Sequence, residues 1–360
     1  MGTLLIIVTL SAWGAGCSGG DRAQVLAGYR DYRDPTVEVK SPRVEGAGDL
    51  PGGVSLGVYW AADVISAATP VMNAPDTMSR ATEFRETRHE AGVSLGWEAR
   101  TTMALSTEYA ISSEPDYLSQ ATSIRVESEL LERMATLSAT GRLQLDRIGH
   151  VDLVAFDESM RSVGGLLAWS HILHPHVVAH LAYSLEHRAG FQSNPYRYVP
   201  MGGDEGGPAS LMSSEYLPRR RTRHAWEGLA IWAATGRLFL RGGYRFYGDD
   251  WAIRSHTLYG ESWHVFFDDR LRLRLRLRGY TQEGAEFFRD RHGEGELFRS
   301  GDYRLGPMSS LGGGARFDVR LSRYTLMLGY DATYYRLHDT AFYPEMLGRV
   351  LSVGLTTEWP

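Results

Sequence analysis

A chain of 360 residues, 43% hydrophobic and 22% charged, is long enough for a large core or a large barrel. Beyond the N-terminus no run of about 18 apolar residues occurs, which excludes helical membrane spans. A net charge of −5 argues against a nucleic-acid partner, and a single cysteine excludes an intrachain disulfide.

Residues 1–16 read as a lipoprotein-like signal peptide. Thr3, Leu4, Leu5, Ile6, Ile7, Val8, Thr9 and Leu10 form a short apolar segment, and small residues then lead into Gly14-Ala15-Gly16-Cys17. Cleavage before Cys17 with lipidation of its thiol is the expectation. The departures are the missing Lys or Arg before the apolar segment and Gly14 where Leu is usual, so a plain secretory signal with an incidental Cys17 is the alternative. Residues 17–52 are rich in Gly, Asp, Arg and Pro without a sustained period and read as a flexible periplasmic linker. The barrel itself is expected over residues 53–360.

From Val54 the chain alternates. Val54, Leu56, Val58 and Trp60 fall on one face, and Ser55, Gly57, Tyr59 and Asp63 on the other. The same period of two recurs through 90–98, 103–111, 124–130, 136–145, 162–170, 179–186, 221–232 and 238–247. In 253–266 either Leu258 or Glu261 is misplaced, so a bulge is expected. Residues 269–282 carry the strongest pattern: Leu271, Leu273, Leu275 and Leu277 alternate with Arg270, Arg272, Arg274, Arg276 and Arg278. A helix would smear these arginines around every face. A strand puts all leucines on one side and all arginines on the other. Three more strands follow, near 311–319, 324–334 and 351–359.

The count is about fourteen strands, with short connections alternating with longer ones, the longest at 66–84, 147–159, 192–218 and 283–308. A soluble sandwich shares the alternation. Three features favour an all-β, antiparallel, up-and-down transmembrane β-barrel with short periplasmic turns and long extracellular loops. Many strands exceed the sandwich average of about 5–6 residues. The loop lengths alternate. Trp60, Trp97, Trp169, Trp226, Trp232 and Trp359 all lie on the apolar face, where interfacial anchors belong. The expected location is the bacterial outer membrane, with its lipid as the barrel's partner.

Several segments resemble the bacterial family known as domain of unknown function 3570, outer-membrane proteins by expectation. They are D-V-I-S-A-A-T-P (63–70), T-E-F-R-E-T-R (82–88), S-S-E-P-D-Y-L-S (112–119), N-P-Y-R-Y-V (194–199), L-P-R-R-R-T-R (217–223) and Y-R-F-Y-G-D-D-W-A-I-R-S-H-T (244–257). The resemblance implies a barrel and a genomic neighbourhood of flavin-attachment and redox proteins. It supplies no activity and no catalytic residue.

The polar faces divide by sign. Early strands carry Asp63, Glu90, Glu98, Glu108, Glu127, Glu129 and Glu186, opposed by Arg125, Arg142 and Arg188. Later ones carry Arg221, Arg223, Arg241, Arg245, Arg272, Arg274, Arg276, Arg278 and Arg316, with Glu227, Asp318, Asp331 and Glu358 as the exceptions. In a fourteen-stranded ring Glu127 and Glu129 would face Arg272, Arg274 and Arg276 across the lumen. An open lumen would then hold a transverse field that biases ion selectivity, whereas a narrow one would be closed by interlocked salt bridges. His171, His174, His176, His180 and His187 match no closed metal motif, so no metal site is assigned. Ser184 and His180 share a face without a hydrolase motif, so no enzyme is expected and no cofactor is implied. Gly202-Gly203-Asp204-Glu205-Gly206-Gly207 reads as a flexible outer loop, with a Ca²⁺ loop as a weak alternative. The first functional expectation is a channel or transporter for small anionic or zwitterionic solutes. The alternative is a closed, salt-bridged barrel with a structural, partner-docking or surface-display role.

Overall fold

The computed structural model describes residues 23–69, 82–100, 102–202, 211–340 and 344–359. Cys17 and the residues expected to form a signal lie outside the described residues, as does most of the Gly-rich run at 202–207. The strands in chain order are β1 (Ala23–Arg33), β2 (Val37–Leu50), β3 (Val54–Thr69), β4 (Thr82–Arg100), β5 (Met103–Glu114) and β6 (Tyr117–Leu130). Next come β7 (Ala135–Ile148), β8 (Glu158–His174), β9 (Val177–Gly190), β10 (Tyr198–Met201), β11 (Leu211–Ser214) and β12 (Arg220–Thr235). The last are β13 (Leu238–Asp249), β14 (Arg254–Phe266), β15 (Leu271–Gln282), β16 (Met308–Leu321), β17 (Tyr324–Leu337) and β18 (Glu345–Trp359). Among the described residues the one helical element is a 3-10 turn, Tyr303–Leu305, and no helix is long and apolar enough to cross a membrane.

All strands but β10 and β11 join one closed antiparallel barrel, each pairing with its chain neighbours. The barrel has 16 strands rather than about fourteen. The two extra strands, β1 and β2, occupy most of the stretch read as a linker, and β1 closes the ring on β18 from Ala23↔Trp359 to Arg33↔Arg349. The physical reason is legible afterwards. The outward positions of this hairpin carry Val25, Ala27, Tyr29 and Val44, but also Gly46, Gly48, Pro42 and the charged Asp31, Arg33, Glu38 and Lys40. Those four charges lie toward one rim, where Arg33 pairs with Asp31 and Glu38, and Lys40 with Glu38. Pro42 has no N–H to donate, and the β2–β3 register lapses between Lys40 and Arg43.

A second correction concerns β14. It pairs with β13 and β15 without any register shift, Leu258 pointing out and Glu261 in. No bulge is needed, because inward Trp263 and Val265 simply break the expected inside-polar rule. Bulges occur instead near the short turns, at Glu98/Arg100, Ile172/His174 and Ala233/Thr235.

The outer surface is apolar. Val58, Leu95, Ile124, Leu181, Leu277 and Leu328 are all exposed on it, Leu277 at 67%. Such a belt has no partner within the chain and suits acyl chains. One rim carries tight turns such as 131–134, 175–176, 236–237 and 322–323, while the other carries the connections 191–219 and 283–307. The 16 strands are an even number, so both ends of the barrel chain fall on the tight-turn rim.

Candidate functional site: the lumen wall and its cap

Strand alternation delivers every charged residue singled out above to the lumen. Directly paired residues share a face, so one chain of registers settles the orientation. Val265↔Arg272, Trp263↔Arg274, Glu261↔Arg276 and Tyr259↔Arg278 point inward on β14 and β15, and Arg272↔Asp318 and Arg274↔Arg316 carry the same face onto β16. Arg221, Arg223, Arg241 and Arg245 line β12 and β13 on the same side. Asp63, Glu98, Glu108, Glu127, Glu129 and Glu186 face inward from β3, β4, β5, β6 and β9.

The partners of these charges differ from the expectation. Glu127 and Glu129 do not meet the arginine ladder. Glu127 pairs with Arg125 at 2.5 Å on its own strand, and Glu129 with Arg133 at 3.1 Å at the short-turn rim. Arg272 pairs with Asp269, Arg274 with Glu261 and Arg276 with Asp331, each at 2.5 Å, and Arg316 with Asp318 at 2.6 Å. Arg241 lies 3.9 Å from Glu261, Arg221 2.5 Å from Asp249, and Arg223 3.2 Å from Glu186, which Arg188 also contacts at 2.5 Å. Asp63 takes Arg88 and the Ser41 hydroxyl. Among the described residues no ion pair spans the lumen. Two more strands widen the ring and move the position half-way round from β15 to β5, the strand of Glu108. A guanidinium reaches the next wall strand, not the far wall. The sign asymmetry survives this correction: β3–β6 lie opposite β13–β16, acidic wall against basic wall.

Among the described residues four inward arginines have no carboxylate partner, one of them Arg142, which donates to the Gln144 side chain at 3.3 Å. Arg30 makes no hydrogen bond or ion pair among the described residues and is exposed inside the barrel. Arg245 lies 5.9 Å from the Tyr247 ring centre, and Arg278 4.9 Å from that of Tyr280. Arg30, Arg274, Arg276 and Arg316 line one recess of about 250 Å³, with Asp331 and Ser352. Gly314 and Gly329 keep it open: a Cβ on Gly314 would overlap the Asp331 carboxylate, and one on Gly329 would lie 2.5 Å from Ser352 Oγ. Arg30 escaped the sequence reading because its strand was taken for linker, and Glu261 because its register was unsettled.

The long-loop mouth carries a folded cap. Connections 191–219 and 283–307 join through the bridges Met201↔His292 and Tyr216↔Arg299, beside the hairpin of β10 and β11. Leu217, Trp251, Ile253, Ala285 and Phe288 form its apolar core. Arg197 reaches Glu215 at 3.1 Å and Asp302 at 2.8 Å, while Glu215, its side chain 1% exposed, also accepts from Ser300 Oγ and from the Asn194 N–H. Burial works against the charged form of Asp302, yet Arg304 and Arg197 outweigh it and hold the carboxyl below the usual carboxylate range. Tyr196 donates to Asp116 in the β5–β6 turn, and Tyr303 packs against Met308, Leu337 and Met346 on the far side of the ring. The joined loops therefore extend across the mouth. Residues of four family-like segments meet here, among them Asp116, Arg197, Arg221 and Trp251. Their clustering was the available signal for the cap, and alternation could not carry it.

Other candidates disperse. His180 points inward to Ser170 at 2.7 Å, while His187 points outward to Thr222 at 3.0 Å, and His174 and His176 sit at a turn with rings 5.4 Å apart. Ser184 faces the lumen with His180, but the hydroxyl bonded to that ring is Ser170's. Glu86, Glu114 and Asp116 bring carboxylate oxygens within 4.8 Å of one another at the mouth, the one such group of potential cation ligands among the described residues.

The family described as "Protein of unknown function (DUF3570)" matches residues 150–357. No curated protein matches the sequence. Among solved structures, a bacterial polysaccharide outer membrane secretin is similar in fold at TM-score 0.53 and 8% identity, covering 94% of this chain and 98% of that one. A ferric enterobactin receptor mutant from Pseudomonas aeruginosa reaches TM-score 0.49 at 12% identity over 89% of this chain, which spans 54% of that receptor. The siderophore receptor PirA from Pseudomonas aeruginosa reaches 0.48 at 8% identity, with 95% and 81% covered.

Proposed function

The chain belongs to the DUF3570 family, whose description assigns no function, and we propose from the geometry that it is an outer-membrane channel or transporter for small anionic or zwitterionic solutes. The carrying observation is the lateral pairing of the lumen charges. The paired arginines lie along the wall beside carboxylates on the same strand or one or two strands away rather than reaching across the lumen, and Arg276 remains 48% exposed at its side chain. Short turns face the periplasm and the capped mouth faces outward, following the usual asymmetry of such barrels. The apolar belt meets outer-membrane lipid. Solutes enter past the cap and meet an acidic wall opposite a basic one. That arrangement orients dipoles and concentrates anions along β15. The reading involves no catalysis and no cofactor.

The test is conductance of the purified, folded protein in a planar bilayer, with reversal potentials in a salt gradient. Replacing Arg272, Arg274 and Arg276 with Gln together should shift selectivity toward cations. The shift should be larger at 0.1 M salt, where the Debye length is about 10 Å, than at 1 M, where it is about 3 Å.

One observation favours a second reading. The cap is a packed structure with its own apolar core, which fits a closed barrel serving a structural, partner-docking or surface-display role. Wild type and triple variant that are both folded and both silent would replace the channel with that closed barrel.

A further inference from the structure

We infer that the recess lined by β15, β16, β17, β18 and β1 is a binding station for a tetrahedral oxyanion, such as the phosphate or sulfate group of a small solute. The inference deepens the channel reading and rests on it for its role in transport. Its evidence is local. Four arginines, Arg30, Arg274, Arg276 and Arg316, line a recess of about 250 Å³. Three of them are held by carboxylates that fix their direction: Glu261 for Arg274, Asp331 for Arg276 and Asp318 for Arg316. Arg30 has none. The cluster therefore carries one positive charge beyond its carboxylates, and Arg278, two residues along β15, adds a second without a carboxylate of its own.

Donor geometry points the same way. Asp331 takes only the Nε of Arg276, leaving that residue's terminal nitrogens for another acceptor, and the fork of Arg30 makes no hydrogen bond among the described residues. Arg316 gives Nε and one terminal nitrogen to Asp318. These free donors arrive from three strands. A planar carboxylate satisfies one fork, whereas a tetrahedral oxyanion presents oxygens in several directions at once. Gly314 and Gly329 supply the volume, because side chains there would fill the recess or press on Asp331 and Ser352. Such a site would rank anions that a diffuse basic wall would treat alike.

The experiment is titration calorimetry of inorganic phosphate into the full-length, detergent-folded protein at low salt. Arg30→Gln should weaken binding by roughly tenfold to a hundredfold, the usual effect of losing a charge-assisted bond. It should leave the fold intact, because no ion pair is lost. Arg30→Lys should recover part of the affinity by charge but not the fork. Arg276→Gln gives a second variant from another strand, again with weaker binding expected. Arg323→Gln, at a short turn of the opposite rim, should leave affinity within about twofold. Sulfate should compete and acetate should bind more weakly. No saturable phosphate binding to folded wild type would overturn the inference, and so would equal losses in Arg30→Gln and Arg323→Gln, or acetate binding as tightly as phosphate. The readout needs no conductance. Binding by a silent barrel would sink the channel and keep the station, whereas conductance without binding would do the reverse.

Discussion

Placing a charge on the lipid face of β15 should cost far more than removing one from its lumen face. Leu275 is 42% exposed on the outer surface, between Ser262 on β14 and Ala315 on β16. It stands four residues beyond Leu271, the first residue of the strand after the 267–270 turn. At about 3.3 Å per residue and a tilt of about 45°, that is roughly 9 Å along the membrane normal, well inside an apolar band about 25 Å tall. A basic residue at such depth costs about 2–4 kcal/mol. At about 1.4 kcal/mol per tenfold, Leu275→Arg should lower the folded-to-unfolded ratio by roughly 30- to 700-fold. Arg276→Gln, one residue on, loses an ion pair whose arginine is 48% exposed to lumen water. Such pairs are worth about 0–1 kcal/mol, so the change should stay below about tenfold. The assay is equilibrium unfolding of both variants in lipid vesicles, with heat-modifiability on a gel confirming the folded form. If Arg276→Gln costs as much as Leu275→Arg, either the faces are assigned the wrong way round or the belt does not meet lipid.

Deleting residues 23–50 should abolish the heat-modifiable barrel, because β18 and β3 would each lose the partner through which the ring closes; a folded barrel from that deletion would restore the linker reading. Palmitate should label the wild type and not Cys17→Ser, and equal labelling would leave a plain secretory signal. The cap should resist protease down to the ordinary carboxylate range near pH 3.9 and loosen progressively below it. The sign follows from Asp302: its folded carboxyl titrates below the unfolded value, so its stabilisation is complete above the unfolded pKa and is lost as pH falls through the folded one. Cap cleavage that rises between pH 7 and pH 5 would contradict that network.

Period-two alternation determined the strands and the inside of most of the staves, and strand length, alternating loop lengths and the tryptophans on the apolar face pointed to a barrel rather than a sandwich. A strand has only two faces, so Leu271 to Leu277 and Arg272 to Arg278 could be sorted without any knowledge of their neighbours. The division of charge between early and late strands was legible for the same reason. Closure was not. β1 and β2 reach past the apolar belt, and their Gly, Pro and charged outward positions hide the alternation until β18 supplies the register. Partner choice was not legible either, because which carboxylate an arginine reaches depends on ring width and stagger. Glu261 and Asp331 became the partners of the ladder only once 16 strands set the far wall beyond reach. The cap lay furthest from the sequence. Arg197, Glu215, Asp302 and Trp251 sit in connections with no period to read, and only folding three separate connections together joins the first three in an ion network and packs Trp251 into the apolar core beside it.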